Sequence, residues 1–364
     1  MTKSRHICIK TFTKQNGDKN DVKKTNLKSL SKDEIFRFIE DKGLPRYRSD
    51  QLICWIYKKY ATKIDEITEF SNDLRNALNK IAFISNLELV KRLKSLDGTE
   101  KFLFSLEDGQ TIESVLIPDK GLRLRRITLC ISSQAGCAMG CSFCLTGKLG
   151  LIRNLKSYEI VDQIISVNRI IRPEKITNIV LMGMGEPLAN FDEVVEALWK
   201  VVLFIGISKR KITLSTAGIV PKILLLPEKA PEVNLAISLN ATTDVSRNEI
   251  MPVNKKYPLK SLINACKKHP LQPKRKITFE YVLIDGKNDS IEDANRLVNL
   301  LRGLRCKINL IPLNPHDGTN LKRPSDQKIL EFQKILLQNN MRALIRESKG
   351  QDILAACGQL KAIY

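Results

Sequence analysis

The chain has 364 residues, with 60 Lys and Arg against 39 Asp and Glu, and its formal net charge of +21 favours a polyanionic partner, nucleic acid first. A hydrophobic content of 43% with 27% charged residues is globular, excludes wholesale disorder, and leaves ample length for two or three domains. No stretch approaches the ~18 apolar residues of a membrane helix and the N-terminus has no secretory signal, so a cytoplasmic protein without a membrane partner is expected.

Residues 1–28 carry eight Lys and Arg against Asp18 and Asp21 and read as a basic flexible arm. From 29 to 90 the pattern is helical. In SKDEIFRFIEDKG (31–43), Ser31 followed by Glu34 is a capping box. RSDQLICWIYKKYA (48–61) gathers Leu52, Ile53, Trp55 and Ile56 on an apolar side, and SNDLRNALNKIAFI (71–84) opens on a Ser/Asn cap. Together they predict a small helical accessory module. Segments 87–93, 100–109 and 111–118 alternate as strands joined by Asp-Gly turns, which gives a short strand extension over 91–126.

From 127 to 364 strands alternate with helices. Candidate strands are 127–133, 176–185, 211–218, 233–240, 276–284 and 307–314; helices include 157–171, 191–205, 290–303 and 325–340. Six βα units in a row predict an α/β core, either a doubly wound parallel sheet or an incomplete barrel. Both place chemistry at the carboxyl ends of the strands.

Nine cysteines cannot close into disulfides, and in a chain without a secretion signal they are expected to be reduced. Three of them, Cys137, Cys141 and Cys144, stand as C-x3-C-x2-C in QAGCAMGCSFCLTGKLG. Zinc wants four closed ligands, no fourth Cys or His lies at finger spacing, and His6, His269 and His316 are scattered. Three thiolates in one loop after a parallel strand suit a cubane iron–sulfur cluster with one iron free to bind substrate.

With Phe143 before the last cysteine, this loop resembles the radical S-adenosylmethionine (radical SAM) signature. GMGEP at Gly183–Pro187 is similar to that superfamily's glycine-rich strand edge, where glycines permit close backbone approach and Glu186 suits an ammonium. Further segments narrow the match: YRSDQLICWIY, TIESVLIP, ITLCISSQAGCAMGCSFCLTG, GMGEPLANFDEV, ITLSTAGIVP, LAISLNATTDVSRNEIMPVN, INLIPLNP and QDILAACGQL. On these the chain resembles the RlmN/Cfr family of radical SAM RNA methyltransferases, and only the basic arm is left uncovered.

The resemblance implies a partial (β/α)6 radical SAM barrel over 127–364, ending in a segment with a methyl-carrying cysteine. It implies a [4Fe-4S] cluster on Cys137, Cys141 and Cys144, and two S-adenosylmethionine molecules per turnover. One methylates Cys357; the other yields a 5′-deoxyadenosyl radical that activates that methyl for addition to a purine carbon. Cys130 then releases the adduct by forming a disulfide with Cys357, and Glu113 takes the proton from C2. Gly185, Glu186, Ser215, Ser238, Leu239, Asn240 and Asn314 match positions that contact S-adenosylmethionine. Taken without the family, Cys130 reads as a small buried hydrophobe and Glu113 as a solvated strand residue. The implied substrates are an adenosine of 23S rRNA near the peptidyl-transferase centre and the tRNA adenosine 3′ of the anticodon. The implied partners include an external electron donor such as flavodoxin, and a monomer is expected. The adenine-C8 branch shares every motif, and a non-methylating iron–sulfur RNA-binding protein would need neither Cys130 nor Cys357. Cys8, Cys54, Cys266 and Cys306 match no functional position.

Overall fold

The computed structural model describes residues 24–119, 126–316 and 319–362. Most of the basic arm, Cys8 and the run 121–125 lie outside the described residues. Strand β1 (Thr25–Asn26) is followed by helices α1 (Lys32–Glu40), α2 (Tyr47–Tyr57) and α3 (Asn72–Ile81), then β2 (Ala82–Phe83), which pairs with β1 in parallel. Ser31 and Glu34 make the expected capping box at the start of α1.

A meander of β3 (Glu88–Lys94), β4 (Glu100–Ser105) and β5 (Thr111–Asp119) leads antiparallel into β6 (Arg126–Cys130). From β6 the sheet is parallel. A side hairpin of β7 (Gln134–Cys137) and β8 (Gly150–Asn154) encloses the short α4 (Leu145–Lys148), and α5 (Ser157–Ile170) follows. Next come β9 (Asn178–Leu181), α6 (Phe191–Lys200), β10 (Ile212–Thr216), α7 (Val220–Lys229), β11 (Asn234–Ser238), α8 (Asp244–Ile250), α9 (Leu259–Lys268), β12 (Ile277–Leu283), α10 (Ile291–Leu301), β13 (Cys306–Pro312), α11 (Asp326–Gln338) and β14 (Ala343–Ile345). Strand order is β14-β13-β12-β11-β10-β9-β6-β5-β4-β3, an open ten-stranded sheet in which each βα unit adds its strand beside the last. The strand extension is thus continuous with the parallel core. Strand β14 was not among the six expected strands; at three residues it is too short to show a period.

Side-chain alternation sorts the parallel strands into two faces. Ile127, Leu129, Ile179, Leu181, Ile212, Leu214, Leu235, Ile237, Phe279, Tyr281, Ile308 and Leu310 belong to the main hydrophobic core. The intervening positions are mostly polar: Arg126 and Thr128, Asn178, Thr213 and Ser215, Asn234 and Ser238, Thr278 and Glu280, Lys307 and Asn309. One face is a conventional core and the other a polar lining.

Residues 27 and 28, counted with the basic arm in the sequence, are part of the packed body. Leu27 is fully buried, and the equally buried Lys28 ammonium meets Asp162 on α5 at 2.5 Å. The second Asp162 oxygen accepts from the Leu87 amide at 2.7 Å. Lys200 on α6, also buried, donates to the carbonyls of Lys28 and Ser29. Burial depresses the Lys28 pKa in spite of Asp162, so the ion pair is what makes its charge tolerable there. Tyr57 and Phe204 pack at 4.8 Å between ring centroids, carrying the core from the helical module into the sheet domain.

Removing one partner of a buried pair strands the other. Asp162→Asn is expected to destabilise the protein by about 3–5 kcal/mol, and Lys28→Met with Asp162→Leu to recover most of that loss. Urea unfolding of the three proteins checks both statements.

Candidate active site

Cysteines far apart in the sequence come together at the carboxyl ends of β6 and its parallel neighbours. Cys130 is the last residue of β6 and lines a small apolar cluster with Leu103, Val115, Met184, Ala355, Leu360 and Ala362. Three of these come from the C-terminal tail. Burial, and then the nearby Cys357, push the Cys130 thiol well above the usual range. Cys357 presents surface to solvent but lies within a recess of the protein. Its surroundings, followed by Glu280 and Cys144, push its thiol up to about 11. Both cysteines are free thiols in this structure.

The tail is held by a series of hydrogen bonds. The Asn314 amide donates to the Cys357 carbonyl at 3.2 Å, and the Leu145 amide to the Gly358 carbonyl at 2.8 Å. The Thr146 hydroxyl reaches the Leu360 carbonyl at 2.6 Å, and Gln359 donates to the Pro315 carbonyl at 2.9 Å. Gly358 has φ +84°, and a Cβ there would lie 3.0 Å from the Phe143 carbonyl oxygen, so the tail rests directly on the cysteine loop. Glu113 on β5 belongs to the same assembly. One of its oxygens accepts from the Lys361 and Ala362 amides at 2.9 and 3.2 Å, and the other pairs with Lys101 at 3.0 Å.

Cys137 ends β7, and Cys141 and Cys144 lie on the loop that runs into α4. Burial pushes the Cys137 thiol up to about 12 and Cys141 further, with Cys144, Cys137 and Glu186 adding to the Cys141 shift. Cys137 is buried, and Cys141 and Cys144 are partly exposed on the loop. Among the described residues no three His, Cys, Asp or Glu side chains converge as they would on a single metal ion. Three thiolates on one loop with no fourth Cys or His at finger spacing are a donor set that fits an iron–sulfur cluster better than a closed zinc site. Within the loop the Ser142 hydroxyl is buried without a hydrogen-bond partner among the described residues.

The remaining candidate residues stand at strand ends. Gly185 has φ +99°, and a Cβ there would stand 2.6 Å from the Gln134 Cβ, which only glycine avoids. Glu186, fully enclosed, uses its two oxygens to accept from the Leu188 and Ala217 amides, and burial raises its pKa. The Thr216 hydroxyl is a third donor to the same carboxylate. Ser215 lies near the end of β10 and Ser238 ends β11. The buried Leu239 donates its amide to the Glu280 carbonyl at 3.0 Å. Asn240, in the left-handed region at φ +58°, accepts from the Val282 amide and donates to the Met251 sulfur. Asn314 donates to the tail and accepts from Gln351.

Sequence reasoning missed Arg247. Completely buried on α8, it donates to the carbonyls of Leu239 (2.9 Å), Ala217 (2.7 Å) and Ser238 (3.0 Å), and to the Asn254 amide oxygen (3.0 Å). It thereby joins the ends of β10 and β11. No carboxylate is among these partners, and burial lowers its pKa to about 10, while Cys141 and Asp244 favour the charge. The sequence signal was an Arg on a short helix within a quoted motif, but nothing in that motif shows three carbonyls to be its targets.

The Radical SAM superfamily pattern matches residues 131–298, and the Ribosomal RNA large subunit methyltransferase N-terminal domain matches 25–84. "Dual-specificity RNA methyltransferase RlmN" of Geobacter sulfurreducens is 50% identical over 338 residues, covering 92% of both chains. Its counterpart from Pelobacter propionicus is 48% identical over 342 residues, covering 93% of this chain and 96% of that one. The chain belongs to the RlmN family of radical SAM methyltransferases.

A crystal structure of a radical SAM methyltransferase from Sphaerobacter thermophilus superposes with a TM-score of 0.88 at 42% identity. It covers 93% of this chain and all of that one. The superfamily match begins one residue beyond Cys130 and stops before β13. It thus takes in none of Glu113, Cys130, Asn314 and Cys357.

Arg247→Gln leaves at least two buried carbonyls without a donor at about 1–3 kcal/mol each, so a loss of about 3 kcal/mol is expected. The measurement is urea unfolding of the cluster-free protein, which isolates the guanidinium's structural role.

Proposed function

We propose that this chain is a radical SAM RNA methyltransferase that places a methyl group on C2 of an adenosine. Its substrates are then 23S rRNA at the peptidyl-transferase centre and the tRNA adenosine 3′ of the anticodon. The observation that carries the reading is the convergence of Cys357, Cys130 and the three-cysteine loop at one end of the sheet. The RlmN relatives along nearly the whole chain support it.

In this reading Cys137, Cys141 and Cys144 hold a [4Fe-4S] cluster, three thiolates that leave a coordination position for S-adenosylmethionine. Held by these three thiolates, such a cluster would supply one-electron chemistry for cleaving S-adenosylmethionine to a 5′-deoxyadenosyl radical, the electron coming from an external donor of the flavodoxin type. Gly185 would lie beside the methionine part, and the buried carboxylate of Glu186 would suit its ammonium. Ser215, Ser238, Leu239, Asn240 and Asn314 supply hydroxyl, backbone and amide groups around the rest of the molecule.

An sp2 carbon such as adenine C2 is not a nucleophile, so direct methyl transfer fails there. Cys357 solves this by accepting a methyl from one S-adenosylmethionine; a second is used to activate that methyl. Its raised pKa keeps the thiol neutral near pH 7, and an approaching sulfonium cation favours the thiolate. A hydrogen atom from the Cys357 methyl would pass to the 5′-deoxyadenosyl group, and addition of the methylene carbon to C2 would leave one unpaired electron on the purine, to be returned to the cluster as the C2 proton leaves; the Cys130 thiolate then attacks the Cys357 sulfur. The sulfur–carbon bond breaks with its electron pair on carbon, that carbon takes a proton, and a disulfide remains for an external thiol to reduce. Glu113 takes the C2 proton once an oxygen is released from the tail amides.

RNA binding draws on the charge of +21. Where the helical module meets the end of α5, Lys59 lies 3.8 Å over the Trp55 ring and Arg172 lies 4.9 Å over Tyr60. Basic groups among aromatic faces suit both phosphates and unstacked bases. We place the enzyme in the cytoplasm as a monomer. Among the described residues no helix is long and apolar enough to cross a membrane.

Nucleoside mass spectrometry of 23S rRNA and tRNA, treated with reconstituted protein, S-adenosylmethionine and a reductant, tests the reading. 2-Methyladenosine in both RNAs is the expected result. 8-Methyladenosine moves the chain to the C8 branch with its site intact, and 5′-deoxyadenosine release without RNA methylation contradicts the substrate. Cys357→Ala is expected to abolish RNA methylation while the visible absorption of the cluster persists.

A further inference from the structure

The polar face of the parallel strands has a second end. At the amino-terminal mouth, about 20 Å from the cysteines at ~3.3 Å per residue along β12 and β13, a recess of about 240 Å³ opens between the strand starts. Arg126, Arg210, Lys211, Lys276 and Lys307 line it, together with Asn178, Thr213, Asn234 and Thr278. The lining is thus cationic, with hydroxyls and amides among the charges. Among the described residues none of the five cations is in an ion pair.

The acidic groups nearby are few and otherwise placed. Asp119 stands opposite Arg126 across the β5–β6 ladder. Glu232 is taken by Lys209. Glu280, farther along β12, accepts from Asn309. Lys307 is half-buried, and burial followed by Arg342, Arg346 and Arg126, against the opposing pull of Glu280, lowers its pKa. Cations gathered in a recess with protein walls repel one another and focus a positive potential that a multivalent anion relieves. The hydroxyls and amides among them offer the directional donors that an oxyanion accepts.

We propose that this mouth is a second binding site, for a phosphate group, at the end of the strands remote from the cysteines. Two sources share that chemistry: a backbone phosphate of the RNA substrate and free inorganic phosphate. The site is too far from the cysteines to touch the adenosine being methylated. An RNA phosphate held there fixes the substrate by its backbone, independently of sequence. The RNA source rests on the proposed function; the phosphate site does not.

The test compares the reconstituted full chain with Lys276→Gln/Lys307→Gln and with the charge-keeping Lys276→Arg/Lys307→Arg. In the first arm, thermal melting is followed in sodium phosphate and in sodium chloride of equal ionic strength. The parent and the Arg pair are expected to melt higher in phosphate, and the Gln pair to lose that difference. In the second arm, RNA affinity is measured against salt. Loss of two phosphate contacts lowers the slope of log K on log salt by about 2, and the Arg pair restores it. A change in both arms supports the site with RNA as its source, and a change in melting alone supports it with free phosphate. A Gln pair that matches the parent in both arms overturns the proposal. A parent that binds no RNA contradicts the proposed function, and melting alone then decides the site.

Discussion

The fold-back of the C-terminal tail over the cysteine loop is the constraint on which the rest of the site depends. Cys357 is more than 200 residues from the triad in sequence and belongs to no strand or helix. Its position comes from hydrogen bonds: Asn314 to the Cys357 carbonyl, Leu145 to the Gly358 carbonyl, and Thr146 to the Leu360 carbonyl. Lys101 adds a bond to the Leu354 carbonyl, and Glu113 receives the Lys361 and Ala362 amides. Each is worth only about 0.5–1.5 kcal/mol net, so the tail is held by their number and by its apolar contacts around Cys130. A segment held in this way can release in part, which suits the role proposed for Cys357.

A polar lining inside a sheet domain is costly unless each group has a task. Here Arg247, fully buried, spends its donors on three carbonyls at the ends of two strands, and Glu186 spends its oxygens on two amides. Rigid strand ends are the result, with Gly185 giving Gln134 the room for its close approach. The same alternation that delivers polar side chains to the cysteine end also delivers cations to the opposite mouth. The two ends are thus consequences of one strand pattern.

Much of this was legible in the sequence because it is local or periodic. Alternation marked the meander and six parallel strands, the capping box marked α1, and the cysteine spacing marked the loop. What was illegible is non-local or breaks the period. Helix α7 carries Pro227 in its interior and α8 has only seven residues, so neither shows a clean helical repeat. Lys28 looked like one more charge of a loose arm, since its partner Asp162 is 134 residues away. Glu113 read by itself as a solvated strand residue, yet it is buried and its contacts lie 248 and 249 residues downstream. The family resemblance singled out the residue, but not the tail anchoring that the structure shows.

The central claim is that the tail brings the Cys357 sulfur to Cys130. Mild diamide oxidation of the cluster-loaded protein, followed by non-reducing peptide mapping, measures this directly. The account predicts a dominant Cys130–Cys357 linkage in the parent chain, and its loss in Asn314→Ala as the tail loosens. A Cys357 that stays free, or that pairs with Cys54, Cys266 or Cys306 while Cys130 remains reduced, would contradict it.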